Sequence, residues 1–141
     1  MLYTTSLTIP ANTTKNNKVC TEISIREGVI TKISIVIPWG HFGLAHLIIL
    51  DGTTQIIPFN PDSSIVGNDE TFTFDVNIDV KEPEHVFKIC GWNEDVQYSH
   101  TFYVRFIVMP HDIANPMSKM FNLLYTVFKR MRMLPRGWRP E

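Results

Sequence analysis

The side chains able to do chemistry are plentiful in this chain but are not spaced for it. The five histidines, His41, His46, His85, His100 and His111, contain no His-x-x-x-His pair, and Cys20 and Cys90 form no Cys-x-x-Cys pair. Zinc sites rely on such spacings to bring ligands onto one metal. There is no phosphate-cradling glycine loop and no Gly-x-Ser-x-Gly elbow. Asp75 and Asp79 lie four apart on a strand-like segment, which separates them by about 13 Å of rise, too far for an acid/base pair. Asn68-Asp69-Glu70 is acidic, but no EF-hand pattern surrounds it. We therefore expect no catalytic, cofactor-binding or metal-ligating residues, and no enzyme.

Two aromatic-containing loops remain. Trp39-Gly40-His41-Phe42 and Gly91-Trp92-Asn93-Glu94-Asp95 place Trp39, Phe42 and Trp92 where they would form a ligand or partner surface. The plainer reading makes them corner residues that plug the ends of a β-sandwich. His46, inside an apolar run, reads as a satisfied core histidine. Cys20 and Cys90 each sit in an apolar strand-like context and read as two small buried hydrophobes. A disulfide between them requires neighbouring strands.

The elements that position these residues are strands. Leu2–Ile9 alternates and stops at Pro10, and 12–18 is polar. Val19–Arg26 alternates, Glu27-Gly28 signals a turn, and Val29–Pro38 follows, so Val19–Pro38 reads as a hairpin. Leu44–Leu50 is nearly all apolar, as a strand buried on both sides would be. Asp51-Gly52 is the strongest hairpin signal, with Thr53–Pro58 returning. Phe59–Glu70 reads as a long loop. Thr71–Val80 alternates cleanly, with Phe72, Phe74, Val76, Ile78 and Val80 on one face. His85–Trp92 and Tyr98–Met109 complete about eight strands at 8–12-residue spacing. The expected fold is all-β, an antiparallel β-sandwich or jelly roll, with a barrel as the runner-up.

The style of the chain changes near Asn115. Residues 1–114 form the expected sandwich domain, and 115–141 an amphipathic helix followed by a basic arm. Asn115-Pro116 suits a helix start and Pro135 a stop, so the helix spans Asn115–Leu134. Met117, Met120, Phe121, Leu124, Phe128 and Met131 share one broad apolar side, which Leu123, Tyr125, Val127 and Leu134 widen. That arc exceeds the ~100° stripe that one-sided packing needs. The competing reading is a helix that caps its own sandwich. Lys129, Arg130 and Arg132 complement the negative end of the helix dipole. Arg136, Trp138 and Arg139 lie beyond the helix and are of the types that dominate interface hot spots. They are candidate contacts of an interface arm.

Charge divides at the same place. Residues 1–115 carry seven Lys and Arg against thirteen Asp and Glu, a balance of −6, and residues 116–141 carry six against one, a balance of +5. An acidic body with a basic arm is expected to dock, to copies of itself or to a larger assembly. The overall net charge of −1 argues against general nucleic-acid binding. No signal peptide is visible, and no run reaches the ~18 apolar residues of a membrane span, so synthesis in the cytoplasm is expected. A basic amphipathic helix also fits a membrane surface, but the second signal that stable anchoring needs is absent.

From Tyr3 to Pro110 the chain resembles a family of small virion-associated β-sandwich proteins of tailed viruses. The resemblance rests on Ile9-Pro10-Ala11-Asn12-Thr13-Thr14-Lys15, Gly28-Val29-Ile30, Ile37-Pro38 with Gly43-Leu44, Pro58-Phe59-Asn60-Pro61-Asp62, and Gly91-Trp92-Asn93. It implies a structural role as a capsid decoration, cement or other virion component, with other virion proteins as partners and the virion as location. The C-terminal helix has no match in that family. The resulting expectation is a non-enzymatic homo-oligomer that docks through its helix and arm. The alternatives are a carbohydrate- or receptor-binding module that uses Trp39, Phe42 and Trp92, and a peripheral membrane protein.

Overall fold

The computed structural model describes residues 1–81, 83–114 and 116–131. Eight strands run through the body: β1 (Leu2–Ile9), β2 (Val19–Ile25), β3 (Gly28–Ile37), β4 (Ala45–Asp51), β5 (Thr54–Ile57), β6 (Glu70–Val80), β7 (His85–Asn93) and β8 (His100–Met109). Two short helical elements follow, α1 (His111–Ala114) and α2 (Pro116–Arg130). One sheet has the order β1-β8-β3-β6 and the other β2-β7-β4-β5, with neighbours antiparallel throughout. Only the β4–β5 connection stays within a sheet. Every other connection crosses between the sheets. This is the eight-stranded jelly roll, two interlocked Greek keys folded into a sandwich.

The topology corrects one expectation. Val19–Pro38 is not a hairpin, because β2 pairs with β7 whereas β3 pairs with β6 and β8. The Glu27-Gly28 turn carries the chain from one sheet to the other. Gly28 has φ +135°, and a Cβ there would lie 2.6 Å from Val108 Cγ1 and 2.8 Å from the Met109 carbonyl oxygen. The signal for a turn was real, but a turn signal does not say whether the next strand pairs or crosses. The Asp51-Gly52 hairpin forms as expected: Asp51 faces Thr54 across a two-residue turn with Gly52 at φ 62°.

The core lies between the sheets. Alternation puts Ile33, Ile35 and Ile37 of β3, Leu47 and Ile49 of β4, Phe87 and Ile89 of β7, and Phe102, Val104 and Phe106 of β8 into one buried cluster. β6 alternates as expected, with Phe72, Phe74, Val76 and Ile78 half-buried against that cluster and Thr73, Asp75, Asn77 and Asp79 exposed. A smaller cluster of Ile48, Cys90, Trp92 and Leu50 covers the outer face of the second sheet, so β4 is buried on both sides. Gly91 lets the sheets meet: a Cβ there would collide with Ile9 Cδ1 and come within 2.6 Å of the His46 carbonyl oxygen.

The cysteines also need correcting. Cys20 is exposed and Cys90 buried, and they are joined in a disulfide with Cα atoms 4.1 Å apart. The crossing at Gly28 is the cause, since it makes β7 the neighbour of β2 and sets Cys20 directly opposite Cys90. In place of one helix from Asn115 there are two. α1 begins at His111, where the Pro110 carbonyl accepts hydrogen bonds from the Ile113 and Ala114 amides. The expected cap Asn115, the end Leu134–Pro135 and the arm residues Arg136, Trp138 and Arg139 lie outside the described residues.

Candidate functional site: the C-terminal helix and the polar end of the sandwich

α2 starts with a proline at its first position, and Lys129 and Arg130 stand in its last turn. α1 ties its start to the body through the His111 imidazole and the Asp79 carboxylate of β6. Asp112 and Lys119 form an exposed ion pair at 3.8 Å. Tyr125 is half-buried, while much of the apolar side of the helix is exposed. Met117, Met120, Phe121, Leu123, Leu124, Val127, Phe128 and Met131 are all exposed, Met117 at 60% and Phe121 at 58%. The sequence-predicted interface residues Met117, Met120, Phe121, Leu124, Phe128 and Met131 therefore form one continuous uncovered face. Burying each such side chain contributes roughly 1.5–3 kcal/mol before ordering costs.

The three candidate loop aromatics separate. Trp39 and Phe42 are exposed and meet edge to face, with ring centroids 5.5 Å apart. Their loop is pinned by Asn68 Oδ1, which accepts hydrogen bonds from the Gly40 and Phe42 amides. Trp92 lies within β7 instead of in a loop and is 7% exposed. The His46 imidazole lies flat on it at 4.7 Å, and the Lys15 ammonium stands 5.4 Å from its ring centre. Its indole is thus occupied by the protein's own groups.

His46 lines a polar cleft of about 520 Å³ with Asn12, Lys15, Asp62, Ser64 and Glu94. Its Nδ1 is 2.7 Å from Ser64 Oγ, and its Nε2 is 3.5 Å from Glu94 Oε1. Hydroxyl, imidazole and carboxylate thus stand in a row, but Nε2 makes no hydrogen bond. The row is held by the hydrogen bond at Nδ1, through Ser64. What it does is tie the 59–69 loop to β4, together with the Leu47–Ile65 bridge.

A second histidine cluster closes the same end of the sandwich. His41 is buried under the Trp39–Phe42 loop, against His100 at 4.6 Å and edge-on to Phe102 at 4.8 Å. Its Nε2 contacts the Thr101 carbonyl oxygen at 3.1 Å, while its buried Nδ1 has no partner. Burial holds the His41 pKa below the usual histidine value. The neighbouring His100 adds to this, and the Thr101 carbonyl opposes it. His100 Nε2 lies 2.9 Å from Asp95 Oδ2. Asp95 is held below the usual carboxylate range, first by the Gln97 amide and then by His100. Sequence spacing missed this group because its members come from the 38–44 loop, the β7–β8 turn and the start of β8. The one available signal was the run Asn93-Glu94-Asp95 before a strand, an Asx-turn pattern that the structure uses. Among the described residues no group of three His, Cys, Asp or Glu is placed to hold a metal ion, and no helix is long and apolar enough to cross a membrane.

No family model matches the chain, and no curated protein matches it. Solved structures resemble it in part. Hydroxypropylphosphonic acid epoxidase from S. wedmorenis is 8% identical with a TM-score of 0.38, and the match covers 75% of this chain. The chain spans 43% of that protein's length. A mitogen from Yersinia pseudotuberculosis is 12% identical over 77% of this chain and 86% of its own, with a TM-score of 0.40. The CBM36-1 domain of a multidomain xylanase from the hindgut metagenome of Trinervitermes trinervoides is 10% identical over 76% of this chain and 86% of its own, with a TM-score of 0.43. These likenesses are too distant to bear on what this chain does.

Proposed function

We propose that this chain is a non-enzymatic structural component of a virus particle, a capsid decoration or cement protein that assembles through α2 and the basic arm after it. The observation that carries the proposal is the apolar face of α2, which the chain's own sandwich leaves uncovered. Two further features support it. A jelly roll is a rigid body of the kind used in capsid shells, although lectins use it too. The Cys20–Cys90 disulfide suits a protein that works outside the reducing cytosol, as an extracellular particle does. In the proposed mechanism Phe121, Leu124, Phe128 and Met131 pack into a neighbour while Arg136, Trp138 and Arg139 set its orientation. Light scattering on the intact chain and on a version ending at Ala114 tests this. The expected result is a defined oligomer for the intact chain, whose monomer mass is 16.3 kDa, and a monomer of correspondingly smaller mass on truncation. Two monomers of equal behaviour would sink assembly through α2.

The exposed Trp39–Phe42 pair favours one second reading, a glycan- or receptor-binding surface on that loop. Its test is a glycan array with the intact chain and with Trp39→Ala. Binding that disappears in the variant, with the solution mass unchanged, supports it.

A further inference from the structure

We infer that the occupant of the α2 face is α2 of a second copy of this chain, packed antiparallel, so that each helix reaches toward the acidic body of the other. This rests on the assembly reading above and names its partner. The first argument is periodicity. Met117, Leu124 and Met131 recur every seven residues, Met120 and Val127 fall three after the first two of them, and Phe121 and Phe128 flank the seam. A seven-residue repeat with 3–4 spacing fits a partner helix, since it keeps one seam in register with another helix. The second argument is length. A helix of 15 residues is marginal alone in water, and Met117, Phe121, Leu123 and Met131 stay about three-fifths exposed on α2 and at its end. A partner that contributes the same face satisfies both helices at once, as a two-fold interface does.

Charge sets the direction. Lys129 and Arg130 lie at the C-terminal end of α2, and Asp112 and Asp79 lie by its start. A parallel pair would put the four C-terminal cations together. An antiparallel pair brings Lys129 and Arg130 of each helix beside the Asp112 end of the other, and it also opposes the helix dipoles favourably. Asp112 holds Lys119 only through an exposed pair at 3.8 Å, so it stays accessible to a second cation. Antiparallel helices set the 117/124 positions of one against the 120/127 positions of the other, so Met117 of one copy faces Val127 of the other and Met120 faces Leu124.

Cysteine cross-linking in the full chain tests this geometry. Under mild oxidation Met120→Cys mixed with Leu124→Cys is expected to form a covalent dimer on a non-reducing gel. Met117→Cys and Val127→Cys alone are expected to stay single and to cross-link when mixed. Asn122→Cys, on the opposite face, controls for random collisions and for exchange with Cys20–Cys90. Self-linking of Met117→Cys would overturn the antiparallel arrangement. Cross-linking no better than Asn122→Cys in both mixtures, with a wild-type oligomer that still falls to monomer on truncation at Ala114, would overturn the helix pair while leaving assembly through α2 intact. A wild-type monomer that binds anionic vesicles through α2 would overturn both.

Discussion

At the scale of single residues the sandwich is most sensitive where side chains must stay neutral or stay absent. His41 is buried beside His100, and its neutral form is the one the fold accepts. Its pKa is lower in the folded chain than in the unfolded one, so the unfolded chain binds more protons as pH falls below about 6.5. Stability is therefore complete above that value and declines as pH drops toward the folded pKa, by at most about 1.4 kcal/mol per pH unit for one proton. Urea unfolding between pH 7.5 and 5 is expected to show this slope, and His41→Phe to flatten it. An unchanged slope in the variant would assign the sensitivity elsewhere. The depressed pKa of Asp95 acts lower, stabilising above the usual carboxylate value and fading as pH falls below about 4. Gly91→Ala is expected to cost about 1–3 kcal/mol of stability, since Ile9 and the His46 carbonyl occupy the space a methyl would need. A neutral result in denaturant titration would show that the sheets have room to separate. None of this was legible in the sequence, because burial of His41 and crowding at Gly91 arise from residues far away in the chain.

At the scale of elements, what local chemistry decides was readable, and what pairing decides was not. Alternation, the apolar run Leu44–Leu50 and the turn signals together located all eight strands, and Asp51-Gly52 identified the one in-sheet hairpin. The Val19–Pro38 hairpin failed because Gly28 turns the chain into the other sheet, and the same crossing joined Cys20 to Cys90. Trp92 read as a loop aromatic because Gly91 and Asn93 flank it, yet β7 extends through both of them. The apolar face of α2 was fully legible, since helical period is a local property; its lack of cover by the sandwich was not. Replacing both cysteines (Cys20→Ser with Cys90→Ala) is expected to remove about 2–4 kcal/mol, given the 70-residue separation they bridge. Thermal unfolding of that variant under oxidising conditions checks this, and an unchanged midpoint would mean that the β2–β7 ladder alone fixes the edge strand.

At the scale of the whole molecule, a closed, disulfide-pinned jelly roll carries a helix that its own core does not need. The inner faces of both sheets are already satisfied by one another, and in the proposed assembly the apolar side of α2 is covered by a partner. The acidic body and basic arm give that partner a direction. The most direct test is the sedimentation mass of the intact chain carrying Leu124→Asp and Phe128→Asp, compared with Asn122→Asp and Thr126→Asp on the opposite face. The account predicts a fall to the 16.3 kDa monomer for the first pair and a wild-type oligomer for the second, with the Cys20–Cys90 disulfide retained in both. An oligomer that survives two charges on the apolar face would contradict it.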